Sequence, residues 1–369
     1  MLLGRLGRIP SSGGGAVGLD AYTISGGAGD DAIYNASWGD GGDGNDTITG
    51  AYSPAYGIFP EYGAQLFGGA GDDSLVGTDK ADYFYGGAGS NTIVGGGGGD
   101  SIYLEVGLEL EHRTYVISET GVHNMLWIAG YEENRATVDL NAGIAHVDVL
   151  KDGVYRRIVD VTFDHIDVVQ GAFGSDSITG STGNDYIQGG QVSTIFGGDG
   201  NDTIGGGDGH SQINGNKGDD HILGHSKVGD WLLGGQGNDL IEVQSGANII
   251  NGNLGDDSIW GGSGDSTVRG GQGNDVIYGG SGSECMFGDL GRNTLIGRGG
   301  ADTFNAGPGH DVVTDFRASD GDRVIVAANL TYHATQTAAD VLITFGNGGE
   351  MVLQGTVLAA LPSGWIGAA

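Results

Sequence analysis

Aspartate returns every nine residues along much of this chain, each time behind a glycine-rich lead. GGDGNDTIG (197–205), GGQGNDLIE (234–242), GNLGDDSIW (252–260) and GGQGNDVIY (270–278) share the template GGxGxDxUx, where U is a large apolar residue. A carboxylate fixed at the sixth place of each repeat, among glycines whose backbone can be approached closely, suits cation binding by oxygen. Calcium takes roughly six to eight oxygens, carboxylates among them.

Two nonapeptides make one turn of a coil, so alternate repeats fall on opposite sides. On one side position six runs Asp185, Asp202, Asp220, Asp239, Asp257, Asp275, Asn293, Asp311. On the other it runs Asp176, Thr194, Ser211, Asp230, Asn248, Ser266, Glu284, Asp302. Position five agrees, with Asn184, Asn201, Asp219, Asn238, Asp256 and Asn274 on the first side. Aspartates compensate a line of divalent cations, whereas serine and asparagine supply little or no charge. The pattern predicts one continuous calcium row, from Asp185 to Asp275, and a second side largely without ions. The alternative, backbone carbonyls alone holding calcium on both sides, stays open at this point.

The elements that must carry this row are legible in the same nine residues. The first six form a turn, in which glycine permits positive φ. The last three, x-U-x, form a short strand with one side chain facing inward. From 197 to 314 the U column runs Ile204, Ile213, Ile222, Leu232, Ile241, Ile250, Ile259, Val268, Ile277, Met286, Leu295, Phe304, Val313 without a break. One repeat cannot bury its apolar residue alone; stacked coils can. The expected fold is therefore all-β, a parallel solenoid of nonapeptide coils.

These residues resemble the RTX family, the haemolysin-type calcium-binding repeats of proteins exported by type I secretion. The resemblance covers most of 26–103 and 171–314. It implies a parallel β-roll with several calcium ions between successive turns, held by backbone carbonyls and sixth-position aspartates. The ligands it implies are Asp31, Asp46, Asp73 and Asp100 in the first block, and Asp185, Asp202, Asp220, Asp239, Asp257, Asp275 and Asp311 in the second. Stacked carboxylates repel without the ion, and glycine-rich backbone is costly to order. The chain is therefore expected to be disordered at cytosolic calcium and β-structured at millimolar calcium.

Composition agrees. Glycine is 79 of 369 residues, proline only 5, and the formal charge is -32, so nucleic acid and anionic membranes should be repelled. A lone cysteine, Cys285, excludes an internal disulfide. No apolar run is long enough to cross a membrane as a helix. The start, MLLGRLGRIPSSGGG, lacks the apolar core of a signal peptide, so an extracellular location needs another export route.

Five segments are expected. They are a tail (1–20), an irregular repeat block (21–103), a β-rich insert of degenerate coils carrying a loop (104–170), a regular β-roll (171–314) and a C-terminal β cap (315–369). The resemblance gives the last segment a second role as a type I secretion signal. Asp315, Asp320 and Asp322 are candidates for a terminal calcium. VLITFGNGGEMVLQG reads as two strands around a Gly-rich turn.

A search for catalysis yields nothing firm. HExxH is absent, and GHSKVG (224–229) has the wrong spacing for a nucleophile elbow. Glu105, Glu109 and Glu111 beside His112 offer an acid/base cluster, for which a solvated charged face is the plainer explanation. His123, His146 and His165 lack zinc spacing. Tyr52, Tyr56, Phe59, Tyr62 and Phe67 interrupt the first block and could stack on sugars, although rings covering the side of the roll is the plainer reading. The leading expectation is a non-enzymatic, secreted or cell-surface calcium module, with type I machinery and a cell-surface glycan as partners. The alternatives are a polysaccharide-active enzyme, or the secretion half of a larger enzyme.

Overall fold

The computed structural model describes residues 23–51, 62–106, 112–130, 134–172, 174–225 and 227–368. Among them are β-strands and a single short 3-10 turn, Leu358–Ala360, with no α-helix. The chain divides into two compact units, 1–179 and 180–369.

The second unit follows the nine-residue beat. Thr203–Gly205, His221–Gly224, Leu240–Val243, Ser258–Gly262 and Val276–Gly280 pair in parallel in one sheet. Ile204, Ile222, Ile241, Ile259 and Ile277 stand in register along it. The facing sheet stacks Gln212–Lys217, Trp231–Gln236, Ile249–Leu254, Thr267–Gln272 and Cys285–Leu290, aligning Ile213, Leu232, Ile250, Val268 and Met286. These ten side chains form the core, the most exposed of them being Ile213 at 3%. Each contributes about 1.5–3 kcal/mol of hydrophobic burial. The structure is thus the parallel β-solenoid expected from the repeats.

Near the C-terminus one sheet stays parallel, with Arg323–Val326 on Thr303–Asn305 and Ile366–Ala368 on Arg323–Val326, while the other turns antiparallel. Glu350–Leu353 adds in parallel to His310–Val313, then Val341–Phe345 pairs antiparallel to it and Tyr332–Gln336 antiparallel to that. The expected pair of strands around GNGG is therefore present, with Gly348 at φ 90° in its turn.

The first unit is built the same way with more variation. Leu66, Phe84, Ile102, Leu126 and Val169 align in one sheet. Ile33, Ile48, Leu75, Ile93 and Ile117 align in the other. The stretches 77–85 and 86–94, loose fits by sequence, form regular coils. Their sixth-position residues, Asp82 and Asn91, are buried.

Between 104 and 170 the nine-residue beat stops but the coil does not. Arg113–Glu119 and Met125–Ala129 stack in parallel on Asn91–Gly96 and Ser101–Glu105. A hairpin, in which Ile144–Lys151 returns as Val154–Thr162, is then inserted in the same sheet, with Val154–Thr162 parallel to Arg113–Glu119 and Ile144–Lys151 antiparallel to Arg135–Asp139. Its turn carries positive φ at Asp152 (54°) and Gly153 (75°), the primed-turn geometry that suits the twist of paired strands.

Outward positions next to the core column stack on one another. Trp38, Phe67, Tyr85, Tyr103 and Trp127 form a ladder with successive centroids 5.3, 6.1, 5.5 and 5.4 Å apart. Phe67 is a rung of this ladder; Tyr52, Tyr56 and Phe59 lie outside the described residues.

Candidate metal centre

Each sixth-position aspartate ends a turn and precedes a strand, so its carboxylate lies under the turn rather than in solvent. In the second unit these carboxylates form a relay. The amide of Asp202 donates to Oδ1 of Asp220 at 2.8 Å, Asp220 to Asp239 at 2.9 Å, Asp239 to Asp257 at 2.8 Å, and Asp257 to Asp275 at 2.9 Å. The relay uses one oxygen of each carboxylate. The other, Oδ2 of Asp202, Asp220, Asp239, Asp257 and Asp275, is buried with no hydrogen-bond partner. Buried polar oxygens are nearly always satisfied, so five in a row mark where a cation belongs.

The space beside these oxygens is lined by more oxygen. A Cβ placed on Gly234 would meet Asp239 Oδ2 and stand 2.7 Å from the carbonyl oxygen of Gly252 in the next coil. At Gly252 it would meet Asp257 Oδ2 and stand 2.6 Å from the Gly270 carbonyl oxygen. The first glycine of the repeat thus keeps open a cradle between one carboxylate and the next coil's carbonyl. Among the described residues no three His, Cys, Asp or Glu side chains cluster to hold a metal. One carboxylate with backbone carbonyls suits a hard cation such as calcium, and not zinc.

The second residue of the turn decides whether a carboxylate stays unpartnered. Along this row it is Gly198, Asn216, Gly235, Asn253 and Gly271, all at positive φ between 76° and 125°. Where Ser181 takes that place, its amide donates to Asp185 Oδ2 at 2.6 Å and its hydroxyl to Oδ1 at 3.1 Å. Thr78 does the same for Asp82, its amide donating to Oδ2 at 2.6 Å. At the far end Asp311 Oδ1 accepts from Asn293 Nδ2 at 2.8 Å. The first unit repeats the unpartnered arrangement at Asp31, Asp46, Asp73 and Asp100, whose Oδ2 atoms are buried without partners.

The second side of the coil is chemically different. Asn248 Nδ2 donates to the carbonyls of Ser245 and Gly246 at 3.1 and 2.9 Å. Ser266 Oγ donates to Gly261 at 3.1 Å. Turn carbonyls there receive protons from the protein itself. One assignment from sequence needs correction: the buried sixth-position residue is Ser193, not Thr194. The coil from Asp185 to Asp202 has 17 residues, so counting nine from Asp185 lands one residue late. Ser193 Oγ donates to the Gly190 carbonyl at 3.2 Å, as Ser266 Oγ does to Gly261, whereas Ser211 Oγ has no partner.

Burial dominates the electrostatics, opposed in part by the relay amide and reinforced by neighbouring carboxylates. It lifts Asp202, Asp239 and Asp275 to about 6, Asp220 to about 7 and Asp257 to about 8. Two buried glutamates outside the expected ligand set behave alike: burial, then a facing aspartate, pushes up Glu119 beside Asp100 and Glu284 beside Asp302. Glu119 was invisible to template counting because it lies in a strand without the glycine lead.

The remaining candidates resolve differently from the sequence expectation. Glu109 and Glu111 lie outside the described residues. His112 turns away from Glu105 to Asp160, at 2.8 Å, which His146 also bonds at 2.6 Å. The cause is strand pairing, which sets Thr114 beside Asp160. Asp315 and Asp322 each accept two backbone amides, from Gly297 and Arg298 and from Asp302 and Arg317, so their oxygens are already engaged.

A coiled solenoid with unpartnered carboxylates under its turns defines a calcium-type β-roll. The model of the RTX calcium-binding nonapeptide repeat matches residues 23–37, 67–102, 161–192, 196–226 and, in overlapping stretches, 229–313. These matches cover more than half of the chain, which belongs to that family. Membership implies a calcium-binding roll of generally secreted type. Among solved structures the chain is similar to the extracellular lipase LipA from Serratia marcescens, at 17% identity and a TM-score of 0.20. That likeness covers 90% of this chain and 42% of the lipase, so the chain spans less than half of its length. No curated protein matches the chain.

Proposed function

We propose that this protein is a secreted, non-enzymatic module that folds on extracellular calcium, with its main ion row on one side of the second unit. The row runs from Asp202 to Asp275, one carboxylate per coil. The observation that carries this reading is the contrast between the two sides. Five consecutive aspartates leave a buried carboxylate oxygen without a donor on one side, while on the other Asn248 and Ser266 donate to the turn carbonyls and unpartnered carboxylate oxygens are confined, among the described residues, to Glu284. The row is shorter than the sequence expectation by one position, because Ser181 already bonds Asp185. The aspartates of the first unit, with Asp31, Asp46, Asp73 and Asp100, add further ions.

Calcium supplies charge compensation for oxygens that would otherwise face each other unscreened. The chain's own part is to hold the carboxylates in line, through the amide relay, and to keep the cradle open with glycine. Export through type I machinery and a role at the cell surface, with a glycan as partner, complete the reading. The division into tail, first block, insert, roll and secretion-competent cap is the organisation we propose for it.

Terbium soaked into crystals of the full chain tests the row. Anomalous peaks should follow Asp202 to Asp275 on one side only. Equal occupancy beside Ser211, Asn248 and Ser266 would overturn the one-sided assignment. A screen for hydrolase and epimerase activity, run beside a glycan-binding array, tests the non-enzymatic role. Turnover of any polysaccharide would refute it.

A further inference from the structure

Glu119 enters its coil through a bulge that skips the template's first glycine, so its carboxylate reaches the place where a first-glycine carbonyl would lie. Its strand, Arg113–Glu119, continues the coil begun by Asn91–Gly96, with Ile117 beside Ile93 and Glu119 beside Gly96. In a regular coil the carboxylate of one turn faces the first-glycine carbonyl of the next, as Asp239 faces Gly252. Here a Cβ on Gly95 would meet both Asp100 Oδ2 and Glu119 Oε2. Neither Asp100 nor Glu119 is exposed to solvent, each at 0%. Asp100 Oδ2 and both carboxylate oxygens of Glu119 have no hydrogen-bond partner. The rest of each residue is fixed: Asp82 donates its amide to Asp100 Oδ1 at 2.7 Å, and the Glu119 amide donates to Asp164 Oδ1 at 2.5 Å.

We propose that Asp100, a repeat aspartate, and Glu119, outside the template, together form a two-carboxylate calcium site in the first unit, distinct from the one-carboxylate positions of the row in the second unit. Glu119 lies outside every stretch matched by the repeat family. Two carboxylates bring unpartnered oxygens together here where a row position offers one, and calcium affinity grows with ligand charge. The site therefore fills before the row, and it locks Arg113–Glu119 onto the preceding coil. The inference rests on the proposed reading that calcium is the ion of this roll. A lone calcium here would bind at free concentrations lower than the row requires by about tenfold or more.

The test is a count of bound calcium in the full chain by native mass spectrometry, across a calcium titration, for the natural chain and Glu119→Gln. The natural chain should take up one ion ahead of the rest, and E119Q should lose that ion and keep the others. If E119Q retains every ion, the two carboxylates share a proton and the site is refuted. If the natural chain takes up no calcium at all, the proposed function itself fails, a different outcome from the first. Should E119Q not fold, hydrogen exchange of 113–119 in the natural chain decides. Protection that arrives at lower calcium than protection of 203–280 supports the site. Protection that ignores calcium and follows acid refutes it.

Discussion

Replacing Asp239 with asparagine separates the two roles of a row carboxylate. Asparagine keeps an oxygen to accept the Asp220 amide, now 2.9 Å from Asp239 Oδ1. It replaces the unpartnered Oδ2 with a donor that can reach a turn carbonyl, as Asn248 already does on the other side. Without calcium the natural carboxylate is a burden, since burial lifts it from 3.8 to about 6. A carboxyl group raised by about two pH units costs the folded chain about 3 kcal/mol at pH well above 6. D239N should therefore stabilise the calcium-free chain by about that much near pH 7.5, an upper bound that neighbouring carboxylates modify. With calcium the sign reverses. At free calcium about a hundred times the dissociation constant, one lost site removes about 2.7 kcal/mol. Differential scanning calorimetry of the full chain, in about 10 mM calcium and in chelator with enough trimethylamine N-oxide to fold the calcium-free chain, reads both numbers, at roughly 2–4 °C per kcal/mol. The gap between the two melting temperatures should narrow from both ends. If D239N melts lower in chelator as well, the unpartnered oxygen is not a destabilising charge and the reasoning fails.

Other outcomes follow from the same geometry. In the absence of calcium, burial raises the row aspartates to between about 6 and about 8, so the folded chain holds more protons than the unfolded one from about pH 4 to pH 8. Calcium-free stability should fall as pH rises through that window, and circular dichroism should show β-structure recovered on acidification to about pH 5. Gly252→Ala puts a methyl group 2.6 Å from the Gly270 carbonyl and against Asp257 Oδ2, so it should weaken calcium uptake, read by isothermal titration calorimetry, and lower the melting temperature. Ile241→Ala removes a fully buried core side chain and should cost about 2–5 kcal/mol in saturating calcium, measured by urea unfolding. Ser181→Ala takes a hydroxyl donor from Asp185 and should cost about 1 kcal/mol by the same urea unfolding in calcium.

The core column was legible in the sequence because one inward residue per nine leaves a period that no other element produces. Every member from Ile204 to Val313 is buried. The carboxylate row was legible for the same reason. What the sequence did not display was which oxygens remain unpartnered. That depends on the backbone sign at the second turn residue: Gly198 at φ 118° leaves Asp202 Oδ2 without a donor, whereas Ser181 turns its amide toward Asp185. A one-residue shortening moved Thr194 out of the column and Ser193 into it. The insert looked like a departure because its glycines were gone, but parallel pairing at Ile117 and Leu126 needs only an inward apolar residue. Glu119 was missed because it pairs with Gly96 across a bulge that skips the first glycine, and a glutamate in such a shortened turn has no template to match.

The amide relay runs one way. Asp202, Asp220, Asp239 and Asp257 each give their N–H to the coil that follows, never to the one before. The two ends of the row are therefore unequal under fraying. Losing a coil from the N-terminal end leaves behind a carboxylate oxygen, which water or a neighbouring ion readily solvates. Losing one from the C-terminal end strands a buried N–H that no cation can satisfy. Beyond the row Asn293 Oδ1 takes the Asp275 amide at 2.9 Å, and on the opposite side of the coil the stretch after Thr314 supplies such an acceptor, since Asp322 takes the Asp302 amide at 3.0 Å. It behaves as the anchored end of a zipper whose teeth close in a single direction, so unravelling should begin at the other end and halt wherever the next carboxylate still holds its amide.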